Sequence, residues 1–144
     1  MEKLNKYNSK RNFKITKEPF GIERKKQNKK LKYVIQHHLA RKDHYDLRLE
    51  WNGVYISFAV PKGPSFNPKE KRLAIKVEEH PLSYGTFEGT IPKGEYGGGT
   101  VMLWDKGYWV PYKYPDFTNG PIKFTLKGKR LNGAWTLVKY KEQN

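Results

Sequence analysis

The chain contains no cysteine, which excludes a disulfide scaffold, a thiolate nucleophile and a thiolate metal site. Any bound metal must take nitrogen and oxygen ligands. No apolar run reaches the length that spans a bilayer, and the start, MEKLNKYNSKRNF, carries no apolar segment of the signal-peptide kind. A soluble, cytoplasmic protein with no membrane partner is expected. Acidic residues are few, 14 Asp and Glu against 29 Lys and Arg, for a formal net charge of +15. That excess spreads positive potential over the surface and favours polyanions, nucleic acid foremost. The amphipathic pattern of a membrane-surface helix is missing. Histidine is scarce too: of four in the chain, three fall within QHHLARKDHYDLRLE, residues 36–50.

What is abundant is β-forming material. Aromatic residues make up 15% of the chain, and 13 glycines and 9 prolines punctuate short Val/Ile/Tyr/Phe/Trp runs, a texture of strands and turns rather than a helix bundle. At 144 residues the chain fits one core without a staple. Residues 1–32, with the run ERKKQNKKLK, read as a basic, partly ordered N-terminal arm, which Phe13, Ile15, Pro19 and Phe20 can dock against the body. Residues 33–144 read as the β domain. Its strands are expected near 32–38, 44–51, 54–60, 72–80, 85–91, 99–110, 122–128 and 134–140, each bounded by Gly, Pro or Asn breaks. About eight antiparallel strands in so small a domain favour an all-β, closed or nearly closed barrel, because closure removes exposed edges.

Strand alternation sorts HYDLRLEW into two faces, His44, Asp46, Arg48 and Glu50 against Tyr45, Leu47, Leu49 and Trp51, with the apolar set expected in the core. A polar face often exists only because it meets water. Here it gathers imidazole, carboxylate and guanidinium, and His44 with Asp46 can hold one cation while His37 or His38 folds back as a third ligand. Two imidazoles and a carboxylate suit Mn²⁺, Fe²⁺ or Zn²⁺ better than Mg²⁺ or Ca²⁺. RLAIKVEEH repeats the pattern, with Arg72, Ala74, Lys76, Glu78 and His80 opposite Leu73, Ile75 and Val77. If the polar faces converge, Arg48, Arg72 and His80 surround an anion beside the metal, and phosphate is the natural choice. Lys62 in VPKGPS can contact it as well. Metal, guanidinium and imidazole together are the parts of phosphoester hydrolysis. GEYGGG lacks the lysine and hydroxyl of a nucleotide-binding loop and reads as a turn. Trp104, Tyr108, Trp109, Tyr112 and Tyr114 can stack on bases, although packing is their commoner use.

Longer blocks, among them YVIQHHLARKDHYDLRLEWNG, AVPKGPS, KRLAIKVEEHPLSYGTFEGTIPKGEYGGGTVMLWDKGYW and FTLKGKRLNGAWTLVKY, resemble the 3′-phosphoesterase domain associated with bacterial DNA ligase D, also found free-standing. The resemblance runs over nearly the whole chain. It implies a β-barrel enzyme, dependent on Mn²⁺ with Zn²⁺ or another divalent transition metal as substitute, that heals 3′ ends in break repair by non-homologous end joining. The implied substrate is a DNA primer-template whose 3′ end carries a ribonucleotide, removed by phosphodiesterase action, or a phosphate, removed by phosphomonoesterase action. It implies His38, His44 and Asp46 as metal ligands, Arg48 and His80 as phosphate-binding, with His80 assisting the leaving oxygen. Tyr84, Gln36, Glu78, Lys62 and Arg72 fall on further functional positions, and Arg11 and Glu18 match contributions of the arm. Asn12 stands where the family commonly has aspartate, and His37 where it commonly has lysine. Ligase or polymerase proteins are the expected partners in trans. Two competing readings stay open: a non-enzymatic basic barrel that binds nucleic acid, and a hydrolase of small phosphoesters.

Overall fold

The computed structural model describes residues 3–24 and 29–139. Residues 25–28 of the lysine run, and Tyr140 at the end of the expected last strand, lie outside that description. Alternating side chains and well-placed turns give eight strands: β1 (Leu31–Leu39), β2 (His44–Trp51), β3 (Val54–Val60), β4 (Ile75–Pro81), β5 (Gly89–Ile91), β6 (Gly99–Pro111), β7 (Ile122–Gly128) and β8 (Asn132–Leu137). They form one antiparallel sheet in the order β4-β3-β2-β1-β6-β7-β8, with β5 paired to β6. β4 and β8 do not pair, so the all-β sheet curls into a nearly closed barrel rather than a sealed one.

Local sequence explains the joints. Asn52 and Gly53 link β2 to β3 with φ of 50° and 86°, the positive pair that a two-residue hairpin turn needs. Between Ile35 and Gln36 the β1–β6 register slips: Ile35 pairs with Asp105 but Gln36 with Leu103, leaving Trp104 as a bulge residue. Tyr33, Ile35, Leu49, Ile56, Phe58, Trp109, Phe124 and Leu126 are buried in the core. Trp109 meets Phe124 edge-on at 5.8 Å. Each such side chain contributes roughly 1.5–3 kcal/mol by leaving water. A buried carboxylate braces the β7–β8 turn: Asp105 accepts from Tyr33 Oη and from the N–H groups of Lys129, Arg130 and Leu131. Any Cβ at Gly128 would collide with the Tyr33–Asp105 pair, so that position must lack a side chain.

Three expectations are corrected. β4 begins at Ile75, not Arg72, because the Arg72 guanidinium bonds the carbonyls of Lys62 and Gly63 and the carboxylate of Glu70, which holds that stretch in a loop. Leu73 and Ile75 are exposed, since the edge strand has nothing outside it. Residues 85–86 are not extended; they close a 3₁₀ turn, Leu82–Thr86, ahead of a short β5.

Residues ahead of β1 carry a one-turn helix, α1 (Asn5–Ser9). Leu4 and Tyr7 are its anchors, 1% and 0% exposed, whereas Ile15 and Phe20 stand open to solvent and Phe13 is partly buried against the core. Tyr7 donates to the Pro19 carbonyl at 2.5 Å, and Asn8 brackets Gly21 through both backbone groups. This segment packs onto the sheet face that carries Asp46 and Arg48. Among the described residues, no helix is long and apolar enough to cross a membrane.

Candidate metal and phosphate site

Both faces of β2 are covered, contrary to the simple division into a core face and a wet face. Asp46, Arg48 and Glu50 are 6%, 3% and 0% exposed, while Tyr45 and Leu47 on the apolar side remain half-buried. Buried charge requires partners, and these come from β1, β4, the 3₁₀ turn and the N-terminal segment.

His38 and His44 pair across the β1–β2 ladder. Asp46 lies between them, with Oδ2 at 3.7 Å from His38 Nδ1 and Oδ1 at 3.3 Å from His44 Nε2. One ligand atom of each residue falls within 4.8 Å of the others. Backbone carbonyls assign the tautomers: His38 donates from Nε2 to Gly97 O at 2.7 Å, and His44 donates from Nδ1 to Lys42 O at 3.0 Å. With its other nitrogen bonded to a backbone carbonyl, each neutral ring turns an unprotonated nitrogen toward the carboxylate, as a histidine oriented to bind a metal does. Burial alone would raise the Asp46 pKa, but the charge of Arg48 and then the neighbouring histidines outweigh it and hold the carboxyl ionised. The Asp46 hydrogen bond raises the His44 pKa, because without a cation a proton takes up the space between two acceptors. The donor set, the tautomers and the spacing all fit a divalent metal, and His38, His44 and Asp46 form a candidate metal site. The structure brings His38, not His37, to it; His37 stacks on Tyr45 at 4.3 Å on the opposite face.

Next to the triad lies a pocket of buried polar groups around Arg48. Arg48 reaches Asp46 Oδ2 from Nη2 at 3.5 Å, donates from Nε to Gln36 Oε1 at 2.7 Å, and packs its guanidinium over the Tyr84 ring. Its Nη1 is buried and has no hydrogen-bond partner among the described residues. Gln36, fully buried, is oriented by donating to the Tyr84 and Phe87 carbonyls. His80 donates from Nδ1 to Glu78 O at 3.0 Å, which leaves Nε2 to accept from Arg11 Nη2 at 3.4 Å. Burial, then the charges of Arg48 and Arg11, push the His80 pKa well below the ordinary histidine range, so the ring is neutral. Arg11 is itself fixed by Glu18 at 3.0 Å and by the Tyr7 carbonyl at 2.9 Å. Tyr84 donates to the same Glu18 carboxylate at 2.6 Å.

Of the residues singled out from the sequence, Gln36, Arg48, Glu78, His80, Tyr84, Arg11 and Glu18 form this connected pocket. Arg72 and Lys62 do not join it: Arg72 is spent on its own loop, and Lys62 is exposed in the turn after β3. Asn12 closes a turn by accepting from Lys14 N. Sequence reading missed Tyr7, whose ring touches both His80 and Arg11. It also missed Lys10 and Tyr96, which meet Glu78 at the rim, and Gly97, whose carbonyl orients His38. Tyr7 sits in a stretch that reads as polar; Gly97 gave a signal, GEYGGG, that marks a turn but not its contact.

The sequence that builds this site matches known proteins. Residues 36–139 match the family model of the DNA Ligase D 3′-phosphoesterase domain. The multifunctional non-homologous end joining protein LigD of Pseudomonas aeruginosa is 47% identical over 139 residues, covering 94% of this chain and 16% of that protein. Its counterpart in Mycolicibacterium smegmatis is 43% identical over 151 residues, covering 99% and 20%, and that of Mycobacterium tuberculosis 41% over 139, covering 96% and 18%. The chain thus spans about a fifth or less of the length of these relatives. With a matched region that takes in every strand from Gln36 onward and all of the triad, the chain belongs to the DNA ligase D 3′-phosphoesterase domain family.

Proposed function

We propose that this chain is a Mn²⁺-dependent 3′-end-healing phosphoesterase that acts on DNA primer ends in non-homologous end joining, removing a terminal ribonucleoside and then the 3′ phosphate. The observation that carries this reading is Arg48 Nη1, a buried guanidinium donor with no partner, placed beside the triad. A cationic donor buried without an acceptor costs several kcal/mol in effect, and a phosphate oxygen is the acceptor that relieves it. The names of the relatives place them in end joining, which supports DNA ends as the source of that phosphate.

In this reading the arm, residues 1–32, and the barrel domain, residues 33–144, build one active site. His38 Nδ1, His44 Nε2 and an Asp46 oxygen hold the ion, which when bound supplies Lewis-acid polarisation of a phosphoryl oxygen or a water. Mn²⁺ or Zn²⁺ suits this nitrogen-containing set better than Mg²⁺. Arg48, kept in place by Gln36 and Tyr84, binds the phosphate. Hydrolysis forms a bond from a water oxygen to phosphorus, breaks the bond to the leaving oxygen, and passes one proton to that oxygen. His80 Nε2 is the atom placed to carry this proton, since Nδ1 is committed to Glu78 O. A phosphate between Arg48 and Arg11 offsets the cationic field that keeps His80 neutral, so substrate binding itself raises the proton affinity of Nε2. Glu18 and Glu78 hold Arg11 in position. The product is a 3′ hydroxyl, the end that ligase and polymerase chemistry requires.

The test is an end-labelled primer-template finishing in a ribonucleotide or a 3′ phosphate, incubated with Mn²⁺, Zn²⁺, Mg²⁺ or chelator and resolved at single nucleotides. Shortening and phosphate release with Mn²⁺, abolished by chelator and by His44→Ala in a folded protein, is expected. Full activity of His44→Ala would remove the metal assignment, and DNA binding without turnover in any metal would favour a non-enzymatic barrel.

A further inference from the structure

We propose that the outward face of β1, β6 and β7 docks the phosphate backbone of the duplex behind the reacting end. Resting on the reading of the substrate as a DNA end, this inference adds a surface remote from the pocket. Strand alternation on β7 buries Ile122, Phe124 and Leu126 and exposes Lys123 and Lys127. On β6 it buries Trp109 and exposes Lys106, Tyr108 and Val110. Register then lines these up: Lys32 on β1 pairs with Tyr108 on β6, and Tyr108 with Lys127 on β7, a row about 10 Å wide at roughly 4.8 Å between strands. Lys30 caps it, with Nζ 5.3 Å from the Tyr108 ring centre.

The exposed charge on this face is of one sign. β1, β7 and β8 contain no Asp or Glu, the one acid of β6, Asp105, is buried and turned inward, and Glu50 of β2, which accepts from Lys32 N, is itself fully buried. Among the described residues no ion pair holds any of these lysines, and open lysines around exposed aromatics form the electrostatic footprint of a nucleic-acid contact. Position relative to the pocket selects a duplex backbone over a loose polyanion. Lys32 and His38 are six positions apart on the same side of β1, about 20 Å at roughly 3.3 Å per residue. At about 3.4 Å per nucleotide along a strand, a primer end at the triad brings the phosphates some six base pairs back to this row.

The experiment measures fluorescence anisotropy of a labelled primer-template across a salt series. It compares the parent protein with Lys32→Ala/Lys127→Ala and with Lys14→Ala/Lys69→Ala, exposed lysines elsewhere that give the same change in net charge. Losing two phosphate contacts should flatten the slope of log K against log salt by about 1.8 and weaken binding about 60-fold near 0.1 M salt. The control pair should move it far less, and kcat at saturating primer should stay unchanged. With duplexes shorter than about six base pairs the two double variants should bind alike. Equal losses in the two variants, or a strip effect that persists on the shorter duplexes, would overturn the proposal. Loss of duplex affinity in the strip variant, in a protein that turns over no primer with any metal, would uphold the surface and sink the catalytic reading instead.

Discussion

Arg48 stands 3.5 Å from Asp46 through Nη2 while its Nη1, on the same guanidinium, is buried with no partner among the described residues. One planar fork therefore joins the candidate metal triad to the buried polar pocket beside it. A lysine at this position keeps the charge but cannot serve Gln36, Asp46 and a phosphate oxygen together. Arg48→Lys is expected to lose about 100-fold or more in turnover, while Mn²⁺ binding, followed by electron paramagnetic resonance, is retained. Turnover close to that of the parent would mean that the open Nη1 has no part in holding phosphate.

Stability should report the neutral state of His80. Its folded pKa lies well below the unfolded value of about 6.5. As pH falls through that unfolded value the unfolded chain takes up a proton that the folded chain refuses, so stability drops toward acid. His44, raised by Asp46 when no metal is bound, works in the opposite sense: its contribution is present in acid and is lost as pH rises through its folded pKa. Because His44 is common to both proteins, the comparison isolates His80. In chelator, His80→Gln should lose less stability than the parent between about pH 7 and pH 5 in urea titrations; parallel curves would contradict a neutral buried His80.

Gly97 has φ of 74°, and its carbonyl fixes the His38 tautomer. Alanine in that conformation costs about 1–2 kcal/mol and moves the carbonyl. Gly97→Ala is expected to weaken Mn²⁺ about tenfold, as loss of an outer-shell partner does, with thermal melting to verify the fold. Unchanged metal affinity would detach this loop from the metal site.

Asp105 offers a control far from the chemistry. Asp105→Asn sets an amide group against at least one of four donors, and the unsatisfied buried groups should cost about 2–4 kcal/mol in urea unfolding. Primer processing by the fraction that stays folded should be unaffected. A loss under about 0.5 kcal/mol, the size of an ordinary surface change, would refute the bracing role.

Period-two alternation and Gly, Pro or Asn breaks made the strands legible, and clustering of scarce histidines made the triad legible. Those signals are local. β4 and β5 came out shorter than their apolar patterns because Arg72 is tied to carbonyls earlier in its own loop and residues 82–86 coil into a 3₁₀ turn, outcomes fixed by partners outside each local pattern. The burial of Asp46, Arg48 and Glu50 was hidden for the same reason: the cover over them hangs on Leu4 and Tyr7, two apolar side chains in a segment dominated by charge. Arg72 bonds its own loop rather than the pocket, and nothing in its segment reveals which carbonyls claim the guanidinium.

The surplus residue Trp104 divides β6 into two halves. Upstream of it odd-numbered side chains, Val101 and Leu103, back His38 and Gln36; downstream, odd positions such as Asp105 and Trp109 enter the core and even ones, Lys106, Tyr108 and Val110, face outward. Excising that single residue would make Leu103 and Asp105 consecutive partners of Gln36 and Ile35, so both halves would keep their present faces and the strand would lose only the bend and extra twist that the bulge supplies.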